Sequence, residues 1–214
     1  MHTAITSSAE PWRVDPLSTL VSALQRLRRR GSGEPTVVAI DGRSGSGKST
    51  LARRLANSGP ATVSVVETDD IAWNESFFDW AAIARSGLLD PIRQRGTPVT
   101  FRPPAWERHG RPGAITVPNK AGLILIAGVG SSRLAFADVL DGSVWIDLDE
   151  PTSTQRVASR GGSDGQPEDP AFVAAWASAE RAFLDRDRPW ERASVIVDGR
   201  SSRNGGPVVY RMRD

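Results

Sequence analysis

The sequence predicts an α/β domain with a mainly parallel five-stranded sheet and helices on both faces. Three observations lead there. Short apolar runs recur at 36–41, 62–66, 123–126, 144–148 and 194–197, as in strands buried on both faces. Segments with helical spacing alternate with them. Such alternation needs crossover connections, and crossovers give a parallel sheet. A chain of 214 residues fits one compact domain with room for a small insertion.

The elements follow in order. Leu17, Leu20, Val21, Leu24 and Leu27 repeat at helical spacing, so residues 16–30 read as an amphipathic helix. Residues 1–34 are taken as this helix and a linker, ahead of a main domain at 35–214. Thr36-Val-Val-Ala-Ile-Asp41 is the first strand, and 48–58 a helix with Leu51 and Leu55 on one face. The second strand, 62–66, ends close to Asp69 and Asp70. Residues 78–95 read as helical, divided near Gly87 and Pro91. Residues 96–120 are rich in Pro, Gly and Arg, with two short strand-like pieces and no core periodicity. They read as a substrate-facing insertion. The third strand leads into Gly128-Val-Gly130, and the fourth into a helix over 152–160. A Gly-rich stretch follows, and 156–169 is taken as a lid. Residues 170–185 read as a helix, 194–197 as the fifth strand and Val208-Val-Tyr210 as an edge strand.

Composition narrows the function classes. The chain has no cysteine, which removes disulfides, thiolate metal sites and cysteine nucleophiles together. No apolar run approaches the roughly 18–20 residues of a membrane span, and the first residues lack an apolar leader. A cytoplasmic protein without a membrane partner is expected. Net charge is +2, and of 27 basic residues only Lys48 and Lys120 are lysines, so a lysine inside a motif is informative. Arg26, Arg28, Arg29 and Arg30 read as a solvated helix end rather than a nucleic-acid patch. The sequence is compatible with a homo-oligomer and does not require one.

Gly42-Arg-Ser-Gly-Ser-Gly-Lys48-Ser49 matches G-x-x-x-x-G-K-[ST] at every fixed position, between a strand and a helix. Gly42, Arg43, Ser44, Gly45, Ser46, Gly47, Lys48, Ser49 and Thr50 are therefore candidate nucleotide-binding residues. Glycines let successive N–H groups point inward as an anion nest, and the helix N-terminus adds partial positive charge. Lys48 reaches the outer phosphates as a point charge, and Ser49 offers its hydroxyl to Mg²⁺. ATP with Mg²⁺ is the expected ligand pair, and the fold becomes a P-loop NTPase three-layer sandwich. No Asn-Lys-x-Asp guanine signature is present, and the small size points to a phosphotransferase.

Further candidates lie where strand C-termini face a ligand crevice. Asp69 and Asp70 follow the second strand; one acid can take a proton from an attacking hydroxyl and the other can hold the metal or substrate. Arg156 and Arg160 share a helix face at i, i+4 and suit charge neutralisation on a transferring phosphoryl group. Arg133, after the third strand, suits an anion, an ordinary turn being the competing reading. In the insertion, Arg102, Trp106, Arg108 and His109 offer an aromatic face with donors for a planar substrate.

With these residues in view, the chain resembles the uridine kinase-like P-loop nucleoside kinases, in particular their compact actinobacterial relatives. The resemblance covers about residues 35–200 and is strongest at Ile40-Asp-Gly-Arg-Ser-Gly-Ser-Gly-Lys-Ser-Thr50. Asp69-Asp-Ile71, Gly128-Val-Gly-Ser-Ser-Arg133 and Ala193-Ser-Val-Ile-Val-Asp-Gly199 are similar to further segments. The resemblance implies that Asp69 is the hydroxyl-activating base and that Arg156 and Arg160 are lid arginines. It also implies a small nucleoside-like substrate, with uridine or cytidine the first guess. Three acids usual in the family are replaced, by Ala105, Ala127 and Gly161. Two other readings stay open: a kinase for another small metabolite, and a nucleotide-binding regulator without turnover.

Overall fold

The computed structural model describes residues 10–28, 33–59, 62–159, 169–203 and 205–213. In chain order the strands are β1 (Arg13–Asp15), β2 (Thr36–Gly42), β3 (Val63–Glu67), β4 (Val99–Phe101), β5 (Ile115–Val117), β6 (Leu123–Ala127), β7 (Gly142–Asp147), β8 (Val195–Asp198) and β9 (Val208–Met212). The helices are α1 (Leu17–Arg26), α2 (Lys48–Ala56), α3 (Thr68–Ile71), α4 (Ala81–Ala84), α5 (Asp90–Arg95), α6 (Pro104–Arg108), α7 (Glu150–Ala158) and α8 (Pro170–Asp187).

The main sheet runs β1-β9-β8-β7-β2-β6-β3. Its five strands from β3 to β8 are all parallel, as the apolar runs predict. β9 adds antiparallel to β8, and β1 antiparallel to β9, so the sheet has seven strands rather than five. β1 has only three residues, too few to show a period. β2 is central, and all seven of its residues are buried. The strand order reverses there: β6 and β3 lie on one side and β7 and β8 on the other. An open parallel sheet holds its ligand crevice at such a reversal, outside the strand C-termini.

Period-two alternation along β2 sorts the core into two faces. Val38 and Ile40 pack with Leu20 and Leu24 of α1 and Leu51 and Leu55 of α2. Val37 and Ala39 pack on the other side with Trp80, Leu88, Ile92 and Phe136. The result is an α/β sandwich of three layers. α1 ends at Arg26, short of the expected residue 30, and its apolar stripe lies in the same cluster as β2.

The helical stretch expected at 78–95 begins at Ala81 and is continuous through a π-turn at Arg85–Leu89. Gly87 sits in that turn because the Phe101 ring lies against it: a Cβ there would fall 2.1 Å from the ring. The insertion is a β4–β5 hairpin carrying α6. Val99, Trp106, Ile115 and Val117 enter the core, although segments this short show no period in the sequence.

Candidate functional site

The loop between β2 and α2 is built around left-handed glycines. Gly45 has φ 77° and Gly47 φ 103°. A Cβ on Gly45 would meet the Ser153 carbonyl oxygen at 2.6 Å, and one on Gly47 would meet Ser202 Oγ at 2.6 Å. Gly47 caps α2 without a side chain, so the first-turn N–H groups of the helix have no capping oxygen. Lys48 Nζ donates to the carbonyls of Gly42 at 2.9 Å and Arg43 at 2.8 Å. Ser46 Oγ is buried without a hydrogen-bond partner. Uncapped N–H groups, an ammonium and an orphaned hydroxyl around one glycine cradle fit a phosphate chain.

Two residues that the sequence reading passed over brace this loop. Asp41 is fully buried and accepts from Gly42 N at 2.8 Å, Gly130 N at 2.9 Å, Ser132 N at 2.9 Å and Ser132 Oγ at 2.8 Å. It ties the end of β2 to the turn after β6. Desolvation pushes its pKa above the ordinary aspartate value, against the pull of these donors. The available signal was an acid closing an otherwise apolar strand. Glu180 of α8 accepts from Ser44 N at 2.7 Å. Its helix pattern gave no sign of that role.

The acids after β3 are split by their surroundings. Glu67, Ala127 and Ile40 align across β3, β6 and β2, so the end of β3 lies two strands, about 10 Å, from the loop. Asp69 is exposed, and Asp70 is half-buried. The Asp70 carboxylate accepts from Arg111 Nη2 at 2.6 Å, and its carbonyl accepts from Trp106 Nε1 at 2.9 Å. Arg111, also unforeseen, lies over the rings of Trp106 at 3.8 Å and Trp73 at 5.2 Å. Its neighbours Asp70 and Trp106, with Arg53, Glu67, Ile115 and Thr116, line a cavity of about 350 Å³ between the β3 edge and the hairpin.

Trp106 is buried, with its indole N–H used on Asp70. Arg102 donates to the carbonyls of Arg111 at 2.7 Å and Gly113 at 3.2 Å, bracing the hairpin. His109 is exposed, edge-on to Trp73. Arg133, read as an anion partner, instead points inward and is 5% exposed. It donates to Gly130 O at 2.9 Å and Phe78 O at 2.8 Å and stacks 3.9 Å from the Trp80 ring. Burial pushes its pKa down to about 10. Arg156 lies on the loop, its Cβ 3.3 Å from a Cβ built on Gly45, and donates to Gly199 O at 3.1 Å. Desolvation, then the Arg203 charge, hold its pKa below the ordinary arginine value. Arg160, Gly161 and the lid residues up to 168 lie outside the described residues.

Among the described residues no group of three His, Cys, Asp or Glu side chains could hold a metal. Ser49 is half-buried in the first turn of α2, beside the phosphate cradle. That donor set fits Mg²⁺ carried on phosphate oxygens, with few protein ligands. Asp70, the other expected metal residue, holds the Arg111 guanidinium at 2.6 Å and lines the cavity.

No family model matches the chain, and no curated protein matches it. Solved structures do. A Bacillus stearothermophilus protein provisionally named a uridine kinase is 20% identical, covers 84% of this chain and 96% of its own, and has a TM-score of 0.56. A Silicibacter sp. TM1040 protein provisionally named a fructose transport system kinase is 20% identical, covers 83% and 94%, and has a TM-score of 0.53. At this identity the likeness is one of fold: an α/β sandwich of the P-loop NTPase kind.

Proposed function

We propose that the protein transfers a phosphoryl group from ATP to a hydroxyl of a small molecule, with a uridine- or cytidine-like nucleoside as the first candidate acceptor. The observation that carries this reading is the glycine cradle at an uncapped helix N-terminus, with Lys48 inside it. The loop binds the phosphate chain through N–H groups, and Lys48 neutralises its outer charge. Ser49 would hold Mg²⁺ through its hydroxyl, and the ion would supply charge neutralisation to the phosphate chain.

Asp69 takes the proton of the acceptor hydroxyl as its oxygen attacks the γ-phosphorus. The bond from that phosphorus to the bridging oxygen of ADP breaks in the same displacement. Arg156, which lies against Gly45 of the loop, supplies positive charge to the transferring group, a task the sequence also assigns to Arg160. The acceptor occupies the cavity beside β3, lined by Asp70 and Trp106, with Arg111 fixing the Asp70 carboxylate. About 350 Å³ suits a small metabolite.

The test is incubation with ATP, Mg²⁺ and a panel of nucleosides, sugars and other hydroxyl compounds, with ADP release followed. Release that requires one acceptor class supports the reading and names the substrate. Tight ATP binding without release from any acceptor favours a regulator instead. Buried Ala105 and Ala127, standing where the resembled family carries acids, motivate that second reading.

A further inference from the structure

Ser44, the third residue of the phosphate loop, is held at every polar atom by the two helices packed on it. Its N–H donates to Glu180 Oε1 at 2.7 Å, its hydroxyl accepts from Trp176 Nε1 at 2.9 Å, and its carbonyl accepts from Ser153 Oγ. Glu180 is 9% exposed, so this is a buried charge rather than a surface contact.

The Arg43–Ser44 peptide is trans, so its C=O and N–H point in opposite directions. The carbonyl accepts from Lys48 Nζ at 2.8 Å, on the cradle side, while the N–H faces Glu180 at the back. One peptide unit thus sits between an ammonium and a carboxylate. Each charge polarises the group toward the other, which strengthens both bonds. A peptide turned the other way would face Lys48 with an N–H and leave Glu180 facing a carbonyl. Both contacts would then be repulsive.

We propose that Glu180 is a positioning residue for Lys48: it fixes the Arg43–Ser44 peptide with its carbonyl toward the ammonium, and so sets the lysine at the mouth of the phosphate cradle. This rests on the nucleotide-binding reading given above. A hydrogen-bond acceptor at the Glu180 position sets which way the peptide faces, and its charge adds strength to a bond that a neutral acceptor still makes. Without an acceptor the part-buried Ser44 N–H is orphaned, and the peptide, held then only through its carbonyl by Lys48 and by Ser46 N at 3.0 Å, turns to find another partner. Lys48 then loses one of its carbonyl anchors, and the phosphates lose a pre-placed cation.

The experiment measures ATP and ADP affinity with Mg²⁺ by calorimetry, in wild type, Glu180→Ala and Glu180→Gln, each checked by thermal melting. Loss of a buried charged hydrogen bond predicts a dissociation constant raised about tenfold in Glu180→Ala. Glu180→Gln, whose amide carbonyl can still accept, is expected to stay within about threefold of wild type. The Ser44 amide proton, followed by NMR, is expected far downfield in wild type and shifted upfield in Glu180→Ala. A folded Glu180→Ala protein with unchanged or tighter affinity overturns the proposal. So does a Gln variant as weak as the Ala variant, because charge would then be the requirement. If Glu180→Ala does not fold, Glu180→Asp, with its acceptor drawn back by one methylene, takes its place under the same criteria. Absence of nucleotide binding in wild type overturns the nucleotide-binding reading instead, and the Ser44 amide shift still reports on the contact.

Discussion

Asp70 and Arg111 pair at 2.6 Å, joining the end of β3 to the hairpin insertion. Arg111 reaches Asp70 while lying 3.8 Å from the Trp106 ring, and Trp106 in turn donates to the Asp70 carbonyl. Two of the three, Asp70 and Trp106, line the cavity, and Arg111 ties them together from outside that lining.

Removing Arg111 takes away a partly exposed ion pair and a stacked cation. Arg111→Ala is expected to cost about 1–2 kcal/mol of stability. Its larger effect is expected on the acceptor, whose KM rises while ATP affinity stays near wild type. Denaturant titration and steady-state kinetics measure the two effects separately. An unchanged acceptor KM would remove the cavity from the proposed substrate site.

Asp69 and Asp70 are expected to divide by role. Asp69→Asn keeps size and polarity but cannot take a proton, so kcat falls about 10²–10⁴-fold with little change in ATP affinity. Asp70→Asn is expected to act mainly on acceptor KM, because its carboxylate is engaged with Arg111. If the kcat loss follows Asp70→Asn, the base is Asp70.

Asp41 sets a pH dependence whose sign follows from its surroundings. Burial raises its folded pKa above the ordinary 3.8, so between those two values the native state holds more protons than the unfolded chain. Its contribution to stability is full below the ordinary value and is lost as pH rises through the raised one. Asp41→Asn cannot titrate. The stability of wild type minus that of Asp41→Asn is therefore expected to fall as pH increases from the ordinary aspartate range upward. Equilibrium unfolding across that range checks it; a flat or rising difference contradicts the assignment.

Ala127 is buried in the core cluster that includes Ile40 and Leu51, and its register neighbour on β3 is Glu67. Ala127→Glu would bury a carboxylate beside a second acid. The expected loss is about 3–5 kcal/mol, seen as a lowered melting temperature at neutral pH and partly recovered in acid. A variant as stable as wild type would mean that this end of β6 can open to water.

The sheet was legible because its strands are continuous apolar runs, and the phosphate loop because each of its positions demands one residue type. What stayed hidden was long-range polar pairing. Glu180 and Ser44 are 136 residues apart, Asp70 and Arg111 41, and no local period joins them. Arg133 was misleading for a related reason: a guanidinium after a strand looks like an anion partner, but aromatic rings and two carbonyls draw it inward. The insertion hid its core residues because three-residue strands are shorter than any usable period.

The cradle formed by Gly42, Lys48 and the N-terminus of α2 carries the proposed nucleotide binding. The most direct measurement is the dissociation constant of ATP with Mg²⁺ for wild type and for Lys48→Ala, with both proteins shown to be folded. The expected result is saturable binding by wild type, weakened at least about tenfold in the variant by loss of its fixed cation. Equal affinity in the two proteins, or none in wild type, would contradict it.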